Sequence, residues 1–226
     1  MLMTVALLSM AGGCAAPTPS KTPVFDLAAL APAPAVLYLA RIGQFQPQYT
    51  GTAYQTYWSA GRLGPEAVQA ANDTVTAIKE RTGTNRIYLV GFSGGGGLAC
   101  LVAARRDDVA GLLDHDWWTR TNNYPPLTDS LNPADFAAKL ADIPQIHFYG
   151  MDDKLISPAM SAKFESLTAF KDFTRAAAPA GTTQAGKKPG RICCSVMCCP
   201  CASALEIRTR RSAGQYRIKT DTNRQA

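Results

Sequence analysis

An apolar run, Arg86-Ile87-Tyr88-Leu89-Val90, leads directly into Gly91-Phe92-Ser93-Gly94-Gly95-Gly96-Gly97. Few folds accept such a junction. The run is short and rich in β-formers, so it reads as a buried strand. The residues after the glycines, Leu98 to Arg105, read as a helix. A strand that turns into a helix within a few glycines needs a backbone free of side-chain collisions. Only one residue between the two glycine positions, Ser93, is small and chemically reactive.

The rest of the chain repeats the alternation. Val36-Leu37-Tyr38-Leu39-Ala40 reads as a strand. Pro65 suits the first position of a helix that carries Val68, Ala71, Val75 and Ile78 at helical spacing, and Gly83 suits its end. Val109 to Leu113 reads as a strand, and Asn132-Pro133 as the cap and first residue of a helix running to about Leu140. Ile143 to Tyr149 reads as a strand, Pro158 to Phe170 as a helix, and Phe173 as the opening of a further strand. Alternation of this kind predicts an α/β architecture, a mostly parallel sheet with helices on both faces. All strand C-termini then share one edge, where ligands bind.

Charge separates this body from the C-terminal tail. The chain has 226 residues and a formal charge of +6. Residues 1–174 carry a net charge of −2, and residues 175–226 a net charge of +8. The basicity therefore belongs to the tail, and a nucleic-acid-binding body, which would carry its own basic face, is excluded. The tail lacks an apolar stripe and is expected to be disordered or poorly packed. Five of the seven cysteines fall between Cys193 and Cys201. Their adjacent pairs lack the spacing of a zinc knuckle, so no metal site is expected, and no cofactor.

The apolar residues 1–13, ending in small residues before Cys14, have the pattern of a secretory leader. With Cys14 as a lipid-attachment site, the chain would be held at the membrane of a bacterial cell envelope, facing the periplasm. An ordinary cleaved leader, giving a secreted or periplasmic protein, and an apolar N-terminal helix are the other readings. Residues 15–35 would then be a linker. The expected division is 1–14 leader, 15–35 linker, 36–174 core, and 175–226 a basic, cysteine-rich tail.

In Gly91-Phe92-Ser93-Gly94-Gly95 a serine flanked by glycines two residues away on each side fits a nucleophile elbow. Its Oγ would project into open space. The Gly94 N–H and the dipole of the following helix would face an oxyanion formed on attack. A carboxylate should follow at a later strand end, and Asp152 and Asp153 both do; Asp153, three residues after Gly150, is preferred.

The chain resembles bacterial α/β-hydrolase lipoproteins. The resemblance rests on Tyr38-Leu39-Ala40-Arg41, Gly61-Arg62-Leu63-Gly64-Pro65-Glu66, Gly91-Phe92-Ser93-Gly94-Gly95, Asp114-His115-Asp116-Trp117-Trp118-Thr119, Ser130-Leu131-Asn132-Pro133 and Gly150-Met151-Asp152-Asp153. It implies an incomplete α/β-hydrolase fold, a small ester-like substrate, Ser93 as nucleophile and Asp153 as acid. It also implies a histidine base after the last strand. The chain's two histidines, His115 and His147, both precede Asp153. His147 lies inside a predicted strand and reads as a core residue. His115 follows a strand end and, with Trp117, could touch substrate. The front end looks short of the family's earlier strands and of the loop that donates a second oxyanion N–H. With the change near Arg175, this reads as an internally deleted and frame-shifted form of a longer hydrolase.

Two other readings compete. Gly94-x-Gly96-x-x-Ala99, with Asp114 twenty residues beyond Gly94, outlines a dinucleotide-binding turn. A catalytically inactive envelope protein, using Trp117, Trp118, Tyr124 and the Tyr54 to Trp58 stretch as a binding pocket, is the other.

Overall fold

The computed structural model describes residues 2–8, 36–39, 42, 56–57, 60–115, 128–153 and 157–178. Six strands form one sheet in the order β2-β1-β3-β4-β5-β6, and every pairing is parallel. They are β1 (Leu2–Leu8), β2 (Val36–Leu39), β3 (Arg86–Phe92), β4 (Val109–His115), β5 (Gln145–Gly150) and β6 (Phe173–Ala178). The helices are α1 (Pro65–Thr82), α2 (Gly94–Ala103), α3 (Ala137–Leu140) and α4 (Pro158–Glu165). A 3-10 turn, Pro133–Phe136, runs into α3.

Local signals place the ends of these elements. Pro65 occupies the first turn of α1, where its missing N–H has no partner to lose. Gly83 ends α1 in the left-handed conformation, with φ 63°. Its N–H donates to Glu80 O at 3.3 Å, and the Thr84 N–H donates to Lys79 O at 3.0 Å. That pair of bonds is a Schellman cap. Asn132 caps the 3-10 turn, its side-chain oxygen accepting from the Ala134 N–H at 3.1 Å.

α1 buries Ala67, Val68, Ala71 and Val75, one stripe of its surface. α2 is buried along all ten of its residues. Ile87, Leu89, Leu98, Leu101, Leu112, Leu140 and Phe164 form the centre of the core. Around Phe164, aromatic rings pack together: Phe170 and Phe173 lie with centroids 5.3 and 6.0 Å from it.

The largest departure from the sequence-based expectation is at the front. Leu2–Leu8 forms a strand between β2 and β3, paired in register with both. A leader cut just before Cys14 would remove this strand and expose two long sheet edges. A run of seven small and apolar residues suits a central parallel strand as well as it suits a leader core, because both environments are apolar. β1 also supplies an earlier strand of the kind that the sequence pattern lacks between Cys14 and Val36. At the other end, the sheet runs on through Arg175 to Ala178, past the boundary set by composition.

Further differences are matters of length. α2 begins at Gly94, not Leu98, so the glycines are helical. α4 ends at Glu165, well before Phe170. Among the described residues no helix is long and apolar enough to cross a membrane.

Candidate active site

The chain runs from β1 to β2 on one side, then returns across β1 to β3 on the other. The order in which strands are added therefore reverses between β1 and β3, and the crevice of an open parallel sheet lies at such a point, beyond the strand C-termini. Leu8 at the end of β1 pairs with Phe92 at the end of β3. Ser93, the next residue, leaves the sheet beside this crevice.

Ser93 has φ 55° and ψ −130°, and it is the one non-glycine residue with positive φ among those described. Such a conformation costs an L-residue roughly 1–3 kcal/mol. The neighbours explain how it is enforced. A Cβ on Gly91 would lie 2.4 Å from Gly96 Cα and 2.5 Å from Gly95 O, so the end of β3 and the start of α2 touch backbone to backbone. The Gly96 N–H donates to Ser93 O at 2.8 Å, closing the turn. Ser93 stands at the cap position of α2, yet its side chain makes no capping hydrogen bond. The Oγ of a capping serine is normally spent on its own helix. Here it is not. Ser93 is half-buried, and Gly94 behind it is buried. As the first residue of α2, Gly94 has an N–H with no intrahelical acceptor.

Two loops close over the first turn of α2. A Cβ on Gly97 would meet Leu63 Cδ1 at 3.0 Å and Pro133 Cγ at 3.6 Å. The loops are tied to each other. The Ser130 Oγ accepts the Leu63 N–H at 3.0 Å and itself donates to Ala60 O. The Leu131 N–H donates to Leu63 O at 2.9 Å. The sequence pattern assigns these clips no role. Their signal, scattered polar and small residues far apart in the chain, has no periodicity to read. Burial lowers the pKa of the neighbouring Arg62 guanidinium from its ordinary value.

Asp153 follows β5. Its N–H reaches back to Gly150 O at 3.3 Å, and the residue is 4% exposed. Asp152, the alternative, is exposed. A buried carboxylate at this edge needs partners to remain charged, whereas an exposed one is simply hydrated. Burial thus favours Asp153 for a role in the site.

His147 is excluded from the site. It lies inside β5, 2% exposed, stacked on Phe173 with ring centroids 4.5 Å apart. Its Nε2 lies 3.1 Å from Gln145 Oε1, an acceptor, so the proton sits on Nε2. Gln145 is held in turn, its Nε2 donating to Leu140 O at 2.6 Å. Burial pushes the His147 pKa down to about 3, so the ring is neutral at ordinary pH.

His115 is the last residue of β4, with its backbone in register with Phe92 on one side and Phe148 on the other. Trp117, Trp118, Tyr124, Tyr54, Trp58, Cys14 and the tail cysteines lie outside the described residues. Among the described residues no cluster of His, Cys, Asp or Glu suits a metal ion.

The dinucleotide outline does not fit this geometry. The motif needs glycines in a loop that cradles a pyrophosphate. Gly94 to Gly97 instead form the first turn of α2. The strand before them, β3, is the third of the described strands and not the first of the sheet.

No protein-family model and no curated protein matches the chain. Solved structures do match, by shape. An esterase of Pyrococcus furiosus aligns with a TM-score of 0.57 and 11% identity, over 83% of this chain and 76% of that one. A Thermus thermophilus protein aligns with a TM-score of 0.54 and 16% identity, over 79% of this chain and 80% of that one. An α/β-hydrolase enzyme from the sediment metagenome of the Mar Chica lagoon aligns with a TM-score of 0.52 and 15% identity, over 83% and 85%. With its parallel sheet, its flanking helices and the turn at Ser93, the chain has the α/β-hydrolase fold.

Proposed function

We propose that the protein is a serine hydrolase that cleaves a small ester or related acyl bond, with Ser93 as nucleophile. The observation that carries this reading is the strained Ser93 backbone at the end of β3, with its Oγ released from helix capping. Strain of this kind persists only where the surroundings impose it, and it gathers at functional sites. The fold neighbours include an esterase, which supports ester chemistry as the class.

Attack of the Ser93 Oγ on an acyl carbon moves the carbonyl electron pair onto oxygen. The Gly94 N–H and the N-terminal dipole of α2 stabilise that oxyanion. One such donor contributes about 3 kcal/mol to lowering the barrier. Asp153 orients the base and offsets the charge that it gains.

Lipid attachment at Cys14 is a separate matter that rests on sequence pattern. It requires a cut that takes away β1. The hydrolase proposed here keeps Leu2–Leu8.

Labelling by a fluorophosphonate probe tests the reading. Ser93 is expected to be the modified residue by peptide mass, and Ser93→Ala to abolish both labelling and hydrolysis of short-chain p-nitrophenyl esters. A folded protein that the probe does not label, or hydrolysis that survives Ser93→Ala, would overturn it in favour of a non-catalytic binding protein.

A further inference from the structure

A serine nucleophile needs a base, and the base must reach both the nucleophile and the acid that orients it. This requirement constrains where the base can sit on the sheet. Ser93 follows β3 and Asp153 follows β5. β4 lies between those two strands and pairs with each. Its last residue is His115.

The register makes the placement specific. Phe92, His115 and Phe148 form one row across β3, β4 and β5. Adjacent strands lie about 4.8 Å apart, and successive Cα atoms about 3.8 Å. Ser93 is one residue beyond Phe92, so its backbone and that of His115 are close neighbours. On the other side, β5 continues two residues past Phe148 to Gly150. The turn after Gly150 brings Asp153 back toward the sheet, its N–H bonded to Gly150 O. The second histidine of the chain is held within the core by Gln145 and Phe173, one strand over.

Building on the reading of Ser93 as nucleophile, we propose that His115 is the general base of this site. The triad would then run Ser93 after β3, His115 at the end of β4 and Asp153 after β5. This order differs from the one implied by the family resemblance, in which the base comes after the last strand. Triads are defined by geometry and role, and their members occur in different chain orders on different folds.

The chemistry balances without any other reactant than water. The neutral His115 ring takes the Ser93 hydroxyl proton as Oγ bonds to the acyl carbon. When the tetrahedral adduct collapses, the bond to the leaving alkoxide breaks and the His115 imidazolium gives it the proton. Water then attacks the acyl-enzyme, its proton passing to His115. Collapse breaks the bond to Oγ, which takes that proton back. One ester and one water yield one acid and one alcohol.

The test compares the wild-type chain with His115→Ala and His115→Gln. Fluorophosphonate labelling of Ser93 and p-nitrophenyl acetate hydrolysis are both measured, and circular dichroism checks the fold. Loss of the base should slow both reactions by about 10²–10⁴-fold. Adding free imidazole should restore at least tenfold of the loss in His115→Ala and none in Ser93→Ala. A purely structural role for His115 would give no imidazole rescue. If the wild type labels at Ser93 and His115→Ala labels equally fast, the base assignment is overturned and the nucleophile assignment stands. If slowing occurs without rescue in a folded variant, the base assignment is also overturned. If the wild type shows no Ser93-dependent reaction, both assignments fall.

Discussion

Gly91 is where the elbow geometry can be tested without touching the reactive group. A Cβ built there would sit 2.4 Å from Gly96 Cα, 2.5 Å from Gly95 O and 2.6 Å from Gly96 N. Ordinary carbon contacts are about 3.5–4.0 Å, so each clash is roughly 1 Å or more too deep. All three atoms are backbone, and no rotamer change can relieve them. Gly91→Ala must therefore push the end of β3 away from the start of α2. Overpacking of this kind costs about 1–3 kcal/mol, and the rigid neighbours place it near 3 kcal/mol. With a urea slope of roughly 2–3 kcal/mol per molar, the unfolding midpoint should fall by about 1 M. The same displacement moves Ser93 and the Gly94 N–H, so labelling of Ser93 should slow by about 10²-fold even in protein that remains folded. Gly83→Ala is the control. A Cβ there has open space around it, and the cost comes only from the positive φ of 63°. It should lose about 1 kcal/mol and keep full reactivity. A Gly91→Ala protein with an unchanged midpoint and unchanged labelling would refute the claim that β3 and α2 meet backbone to backbone.

Other expectations rest on the same structure. Ser93→Gly should be inactive yet more stable than the equally inactive Ser93→Ala by roughly 1–2 kcal/mol, because glycine adopts φ 55° without strain; equal urea midpoints would show that Ser93 is not strained. His147 is neutral when folded, with a pKa pushed down to about 3, whereas the unfolded chain carries an ordinary histidine near 6.5. Below pH 6.5 the unfolded state therefore binds the proton first. Stability should be level above that pH and fall by up to about 1.4 kcal/mol per unit between 6.5 and 3. A His147→Leu variant should lack this component of the slope in urea titrations at pH 7, 6, 5 and 4, and an identical slope in both proteins would contradict the burial argument. Removal of residues 1–13 takes out a central strand, so the shortened chain should aggregate or fail to show a cooperative melt. Intact-mass analysis of the protein from cells should find Leu2–Leu8 present, and a lipid-modified chain starting at Cys14 that is folded and labelled by the probe would show that the sheet does not need β1.

The sequence alone determined a good deal. Apolar runs of four to seven residues alternating with helical stripes define an α/β chain, since burial from water demands one period for strands and another for helices. Pro65, Gly83 and Asn132 marked element ends because their backbone preferences and capping are local. Gly91-Phe92-Ser93-Gly94-Gly95 marked the elbow, because a sharp strand-to-helix turn admits few other residues at its flanks. Features that depend on pairing between distant segments were not legible. The same apolar residues, Leu2–Leu8, suit a leader and a central strand, and only the structure shows their register with β2 and β3. The choice of Asp153 over its exposed neighbour gains its physical reason from burial, which depends on everything packed around the turn after β5. The two histidines look alike as letters. The sheet order alone separates them, enclosing His147 among Gln145, Phe164 and Phe173 and setting the backbone of His115 at the C-terminal edge of the sheet, one strand from Ser93.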